Sequence, residues 1–350
     1  MRMQRLKRFF GVVPAIVSIA VVLVGGCRKI ETTHKASGQE TNVPPAEVRI
    51  GYFGNLTHAQ AVLGVSSGEF GEAIKPSVLT AKVFNAGPSL IEALLAGEID
   101  VGYVGPGPVL NAHLRGRGKD VRVISAAAAN GVLIVARKDS GIEKLEDLKG
   151  KRVATPQHGN TQDIAARHYL THVLGQEDAA NVVPIANPEQ LKMMEDGQID
   201  AAWAPEPWGS RLVAQAGAHV VAEEKDIWPA KVFVLTLVIT TPRFLENHPD
   251  VVRKMLEVHH HWTVRLQREP EKYAPRLEEA LFALSGKKLP PGVLESSIQT
   301  VRFLDDPLPD TIKTMGDWAY DLKLAPHPPD LTGLIDTSIL KRIETQKSAP

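Results

Sequence analysis

The chain carries a single cysteine, Cys27, in 350 residues. That excludes an intramolecular disulfide and any thiolate cluster around a metal. Charge of neither sign is in excess, with 40 Lys and Arg against 40 Asp and Glu. Nucleic-acid binding calls for a basic patch or stripe, so this balance gives no electrostatic case for such a partner. No long hydrophobic run occurs. The apolar stretch over residues 12–24 falls short of the roughly 20 residues that span a bilayer. Catalytic signatures are also missing. There is no His-Glu-x-x-His. Gly105-Pro106-Gly107-Pro108 lacks the Gly-Lys-Ser/Thr ending of a phosphate loop. His259-His260-His261 cannot converge on a metal, because consecutive helical residues diverge by about 100°. A solvated helix face is expected there. Neither a cofactor nor a metal is expected.

What the chain does contain is one tract written twice. Residues 89–108 read SLIEALLAGEIDVGYVGPGP, and residues 190–208 read QLKMMEDGQIDAAWAPEPW. Gly97 and Gly197, Ile99 and Ile199, and Asp100 and Asp200 fall in register. Each copy reads as an amphipathic helix, a Gly stop, a short strand and a Pro-rich loop. A second echo lies upstream. Val48-Arg49-Ile50-Gly51 before Asn55-Leu56-Thr57 is matched by Lys151-Arg152-Val153-Ala154 before Gly159-Asn160-Thr161. Solenoid repeats recur every 20–50 residues or so. Two copies this far apart instead mean two similar α/β lobes, and the chain is too long for one typical core.

The first 26 residues hold Arg2, Arg5, Lys7 and Arg8, no acid, and the apolar run. They read as an export signal and are set aside from the fold. Their removal takes four bases from 40, leaving 36 against 40 acids and a net charge of −4. Gly25 and Gly26 then precede Cys27. That arrangement resembles a bacterial lipoprotein cleavage site, with Leu23 four residues before the Cys where three is usual. Acyl chains on Cys27 would anchor a soluble domain to a membrane. Residues 27–46 are polar and without apolar period, as in a flexible tether.

Strands are expected over Val48–Phe53, Val78–Phe84, Val101–Val104, Val121–Ala128 and Val132–Arg137, with helices between the first three. That β-α-β-α-β order argues for a doubly wound parallel sheet. Ser89 with Glu92 forms a capping-box pattern for the helix that Gly97 ends. A second such unit starts near Asp139. It has strands at Arg152–Thr155, Val182–Ile185, Ala201–Trp203 and His219–Ala222, and a helix over Asp163–Val173. Asn187 reads as the cap of another helix, with Pro188 at its first position. Val232–Thr240 carries the chain back, and helices follow over 249–267, 271–285, 293–300 and 309–323. The expected division is lobe one at 47–133 plus 238–325, lobe two at 134–237, and a loosely held tail at 326–350. Two chain crossings would make a hinge.

In open α/β sheets, ligands bind beyond the carboxyl ends of the strands. Those positions nominate Asn55, Thr57, His58, Asn85, Gly87, Ser89, Gly105, Asn130, Gly159, Asn160, Thr161 and Gln162. The loops are rich in Gly, Asn, Gln, Thr and Ser and contain no Arg or Lys. Several open helices, whose first N–H groups are unpaired and partly positive. Such termini bind sulfate- or phosphate-like groups. A sulfonate suits them, since it only accepts hydrogen bonds. These residue types also serve simply as caps and turns. Trp203 and Glu206 admit two readings. An acid between aromatics suits an ammonium group, or Glu206 caps the helix beginning at Trp208 and the indoles are core.

Val48 to Ser67, Val83 to Pro108, Arg137 to Ile164 and Gly197 to Trp208 together resemble periplasmic substrate-binding proteins of ABC importers, nitrate/sulfonate/taurine subgroup. The resemblance covers about residues 47–325. It implies a type II periplasmic-binding fold: two doubly wound α/β lobes joined by a two-segment hinge. It also implies a monomer that captures a small organic anion such as a sulfonate and delivers it to a permease in the inner membrane. The location implied is periplasmic or extracytoplasmic, without chemical turnover. In that family a Trp-x-x-acid-Pro segment lines the cleft. It maps onto Trp203, Glu206 and Pro207, with Glu where sulfonate and taurine binders often have Asp. Two other readings are an enzyme like the pyrimidine synthase of thiamine biosynthesis, which is similar in fold, and a sensory binding protein. The export signal speaks against the first.

Overall fold

A computed structural model describes residues 44–348. The segments expected to form an export signal over 1–26 and an acylation site at Cys27 lie outside the described residues, as does most of the expected tether at 27–46. Along the chain run strands β1 (Glu47–Phe53), β2 (Val78–Phe84), β3 (Val101–Val104), β4 (Arg122–Asn130), β5 (Val132–Ala136) and β6 (Val153–Thr155). They continue as β7 (Val182–Pro184), β8 (Ala201–Pro205), β9 (His219–Glu223), β10 (Val234–Thr240) and β11 (Val301–Phe303). The helices are α1 (Ala59–Ser66), α2 (Glu69–Ala73), α3 (Gly87–Leu95), α4 (Pro106–Arg115), α5 (Thr161–His168), α6 (Asn187–Glu195) and α7 (Trp208–Ala216). After β10 come α8 (Pro242–Asn247), α9 (Pro249–Arg268), α10 (Pro270–Ser285), α11 (Val293–Thr300), α12 (Pro309–Asp321) and α13 (Ser338–Ser348).

Two sheets result, ordered β11-β4-β10-β3-β1-β2 and β7-β6-β8-β5-β9. The expected parallel sheets prove to be mixed. β1 pairs in parallel with β2 and β3, and β6 with β7 and β8. β10 runs antiparallel to β3 and β4, and β5 antiparallel to β8 and β9. The reason lies in the connections. β5 enters the second sheet directly from β4 of the first, and β10 returns from β9, so each arrives against the local strand direction. Asn130, at φ +59°, holds the two crossings together. Its N–H donates to Phe233 O at 3.0 Å, and its Oδ1 accepts from Phe233 N–H at 3.3 Å.

The duplicated tract is pinned identically in both sheets. Asp100 accepts from Arg49 N, Nε and Nη2 at 2.8, 2.9 and 2.7 Å, and Arg49 Nη1 donates to Gly97 O. Asp200 accepts from Arg152 N, Nε and Nη2 at 2.9, 3.0 and 2.8 Å, and Arg152 Nη2 donates to Gly197 O at 2.6 Å. Each guanidinium therefore ties the entrance of one strand to the helix stop before the next. Gly97 and Gly197, at φ +72° and +67°, end their helices in the left-handed conformation that glycine tolerates best. The Arg152 guanidinium holds the Asp200 carboxyl well below the usual carboxylate range, despite its partial burial.

Four local expectations change. The helix α3 is capped at Ala86, not Ser89, whose Oγ instead donates back to Ala86 O at 3.0 Å. Asn187 is the first residue of α6 rather than its cap, because Ala186 takes the extended position. The described part of the tail, residues 326–348, is not loose. Leu334, Ile339, Leu340 and Ile343 are buried, and Val123 N–H donates to Leu334 O at 2.8 Å. The three-histidine run is not simply a solvated face. His259 is buried, with Nδ1 2.8 Å from Tyr103 Oη and Nε2 2.8 Å from Ala126 O. His260, Asp305 and Glu344 bring ligand-type atoms within 4.8 Å of one another. His260 Nδ1 lies 2.6 Å from Asp305 Oδ2, the spacing of a hydrogen-bonded pair rather than of two ligands around an ion.

Candidate functional site

A cavity of about 30 Å³ lies between the two sheets, where the carboxyl ends of their strands face each other. It is sized for a head group, and it excludes anything as large as a nucleotide. Asn55, Thr57 and His58 reach it from the loop after β1, Gly87 from the start of α3, and Gly105 from the cap of α4. Asn160, Thr161 and Gln162 reach it from the opening of α5. The N-terminal ends of α3, α4 and α5 are therefore collected around one small volume, where their partial positive charges add. No Asp, Glu, Lys or Arg lines it.

Close approach explains the glycines. A Cβ on Gly105 would stand 2.3 Å from Thr161 Oγ1, and one on Gly87 would stand 2.4 Å from Pro108 Cγ. Pro106 and Pro108 carry no N–H, so among the first three residues of α4 the donor is Gly107, whose N–H lies 3.4 Å from Thr161 Oγ1. Asn160 caps α5 through its Oδ1, which accepts from Asp163 N–H at 2.8 Å, while its Nδ2 donates to Gln162 Oε1 at 3.1 Å. Asn55 Oδ1 accepts from Trp208 Nε1–H at 2.9 Å, a bond joining the first lobe to the second.

His58 is buried, and burial pulls its pKa down to about 3. It is therefore neutral across ordinary pH. Its Nδ1 accepts from Phe53 N–H at 3.3 Å, so the ring proton sits on Nε2. His58 is thus an uncharged donor, matched to the rest of the cavity.

Several nominated residues lie elsewhere. Asn85 is exposed and lines a separate pocket at the outer edge of the cleft. Ser89 is used within α3, and Asn130 within the crossing strands. Gly159 donates to Asp163 Oδ2 at 2.9 Å and borders a larger groove of about 550 Å³ along α3, α4 and α12. That groove carries charge of both signs, with Glu92 and Asp120 beside Arg115 and Lys323. Trp203 is core: fully buried in β8, its Nε1 donates to Glu224 Oε2 at 2.7 Å. Glu206 also faces inward. It accepts from Ser210 N–H at 3.0 Å, Ser210 Oγ–H at 2.7 Å and Ser297 Oγ–H at 3.1 Å. Burial raises its pKa against those bonds. The capping reading of Glu206 therefore prevails over the ammonium reading, because its carboxylate is fully buried and bonded to residues of α7 and α11.

The NMT1-like family matches residues 41–275, more than half of the chain. This chain belongs to that family. Over 343 residues it is 26% identical to the Bacillus subtilis (strain 168) protein named "Putative aliphatic sulfonates-binding protein", covering 95% of this chain and 97% of that one. It is 28% identical over 172 residues to the taurine-binding periplasmic protein of Escherichia coli (strain K12), covering 49% of this chain and 52% of the relative. Its fold matches the alkanesulfonate-binding protein SsuA from Xanthomonas axonopodis pv. citri bound to MOPS. The TM-score is 0.70 at 22% identity, over 84% of this chain and 99% of that one. The periplasmic nitrate-binding protein NrtA from Synechocystis PCC 6803 matches with a TM-score of 0.73 at 11% identity, over 87% and 90% of the chains. The two-lobed α/β fold of periplasmic binding proteins is therefore the fold of this family member.

Sequence reasoning missed Thr236. It lies mid-strand in β10 and lines the cavity, and its Oγ1 is buried without a partner. A buried hydroxyl left unpaired is costly, which makes Thr236 a candidate ligand contact. Pro205 and Leu235 complete the wall from strands. Thr236 stands on a strand rather than in a loop beyond one, and its only signal in the sequence is a polar residue within the largely apolar run VLTLVIT.

Proposed function

We propose that this chain is the extracytoplasmic solute-binding component of an ABC importer, taking the head group of a small alkanesulfonate-like anion into the interlobe cavity. One observation carries the reading. Three helix N-termini and the uncharged donors His58 and Thr236 surround a volume that contains no acid to repel an anion. A sulfonate has three acceptor oxygens and no proton, so each donor finds a partner without a cation. The names of the relatives point to the same ligand class. Closure of the two lobes over the anion would signal loading to the permease. Anchorage through acylated Cys27, a monomeric state, and two lobes that exchange the chain just before β5 and just before β10, rather than within those strands at 133/134 and 237/238, complete the proposal.

Titration calorimetry of the purified protein with alkanesulfonates, taurine, nitrate and bicarbonate tests it. Saturable heat with the sulfonates is expected, without chemical change of the ligand. Taurine should hold no advantage over ethanesulfonate, since Glu206 is withdrawn from the cleft. Silence across the whole panel would sink the reading.

A further inference from the structure

The outer pocket that contains Asn85 is a second site at the mouth of the same cleft. It measures about 220 Å³ and shares Asn55 with the inner cavity. Its walls come from both lobes, and its apolar part is formed by Phe84, Leu191 and Leu284. Two cations, Arg211 and Lys287, line it, and no acid does.

Arg211 is the unusual member. It is only 7% exposed, on the first turns of α7. Its Nε donates to Gln215 Oε1 at 3.2 Å, and its guanidinium carbon lies 4.7 Å from the centre of the Trp208 ring. Burial alone moves its pKa, downward, with no carboxylate acting on it. A desolvated guanidinium without a counter-charge is an unfinished ion pair. In the same pocket, Asn187 is 5% exposed and its Oδ1 is unpartnered. Turned over, that amide would offer an N–H in the same place. The indole of Trp208 bonds to Asn55 on one side and carries the Arg211 guanidinium on the other. Head-group cavity and cation are thus one ring apart.

We infer that the ligand is a sulfonate bearing a second acidic group on a short apolar body. Its sulfonate sits in the inner cavity and its carboxylate or second sulfonate meets Arg211 and Asn187. The inference rests on the proposed function of the inner cavity and extends it. It also reverses the expected preference for an ammonium group, because the charge awaiting the distal end of the ligand is positive.

The test uses matched series at fixed ionic strength: ω-sulfoalkanoates, plain alkanesulfonates and ω-aminoalkanesulfonates of equal chain length. Affinities are read for the wild type and for Arg211→Gln. At the chain length that spans the two sites, the sulfoalkanoate is expected to bind about tenfold tighter or better than the alkanesulfonate. The amino compound should bind weakest. Arg211→Gln should erase the advantage of the second acid while leaving alkanesulfonate affinity within about threefold. Equal binding of the acid and plain series, or an advantage that survives Arg211→Gln, overturns this inference and leaves the inner cavity's role standing. Failure of all three series to bind overturns both.

Discussion

At the scale of single residues, the cavity is defined by what its side chains lack. Thr236 has a hydroxyl with nothing to bond, His58 has a ring that cannot be charged at ordinary pH, and Gly87 and Gly105 have no Cβ. Thr236→Val separates ligand recognition from stability. Valine keeps the shape and removes the orphan, so the ligand-free protein should melt at the same temperature or slightly higher. Sulfonate affinity should fall about tenfold, the worth of one hydrogen bond to a charged group. Calorimetry and a thermal melt on the same sample decide it. Unchanged affinity would mean that the hydroxyl does not face the ligand.

At the scale of elements, the crossing segment after β9 holds a titration with a clear sign. Glu224 is buried and accepts from Trp203 Nε1–H at 2.7 Å and from Trp228 Nε1–H at 3.2 Å. Burial raises its pKa to about 8, two indole bonds notwithstanding. The folded carboxyl is therefore neutral at pH 6, whereas in the unfolded chain it ionises near 4.5. Its contribution is complete below pH 4.5 and is lost as pH rises through 8. The loss is on the order of 5 kcal/mol if the whole shift is expressed. Melting temperature should drop between pH 5 and pH 9 in the wild type and drop distinctly less in Glu224→Gln. The low pKa of His58 acts only on the acid side, below about pH 6.5, where the unfolded histidine takes up its proton first. Parallel wild-type and variant curves would refute the assignment.

These elements show what a sequence reveals about a binding site. The strand and helix order was readable because periodicity and glycine stops are local. The duplicated tract was readable because Arg49, Asp100 and Gly97 recur as Arg152, Asp200 and Gly197 and do the same work. Strand direction was not readable for β5 and β10, since it follows from which sheet each strand joins. Side-chain direction was not readable either. Trp203 and Glu206 occupy a cleft-loop segment yet point into the core, satisfied by Glu224 and by Ser210 and Ser297. Two of these partners, Glu224 and Ser297, lie far along the chain. Arg211 escaped notice because it sits on a helix rather than in a loop.

At the scale of the whole molecule, the lobes meet through few polar contacts near the ligand. Trp208 Nε1–H to Asn55 Oδ1 and Gly107 N–H to Thr161 Oγ1 bridge them. These bonds form only when the lobes lie together, so the ligand is expected to raise the population of the described arrangement. X-ray scattering should show a smaller radius of gyration with a saturating sulfonate than without. Asn55→Ala should enlarge the ligand-free radius. It should also weaken apparent affinity by the fraction of closed molecules lost. Identical scattering with and without ligand would contradict closure.

A pocket furnished with backbone amides and neutral side chains has nothing to titrate between about pH 5 and 8, since His58 has already given up its proton. Mild acidification or alkalisation of the medium cannot loosen its hold on the head group, since no Asp, Glu, Lys or Arg lines it. For the proposed cargo, discharge must then be mechanical. Something has to pry the halves apart, so the trigger belongs to the docking partner rather than to the surrounding fluid.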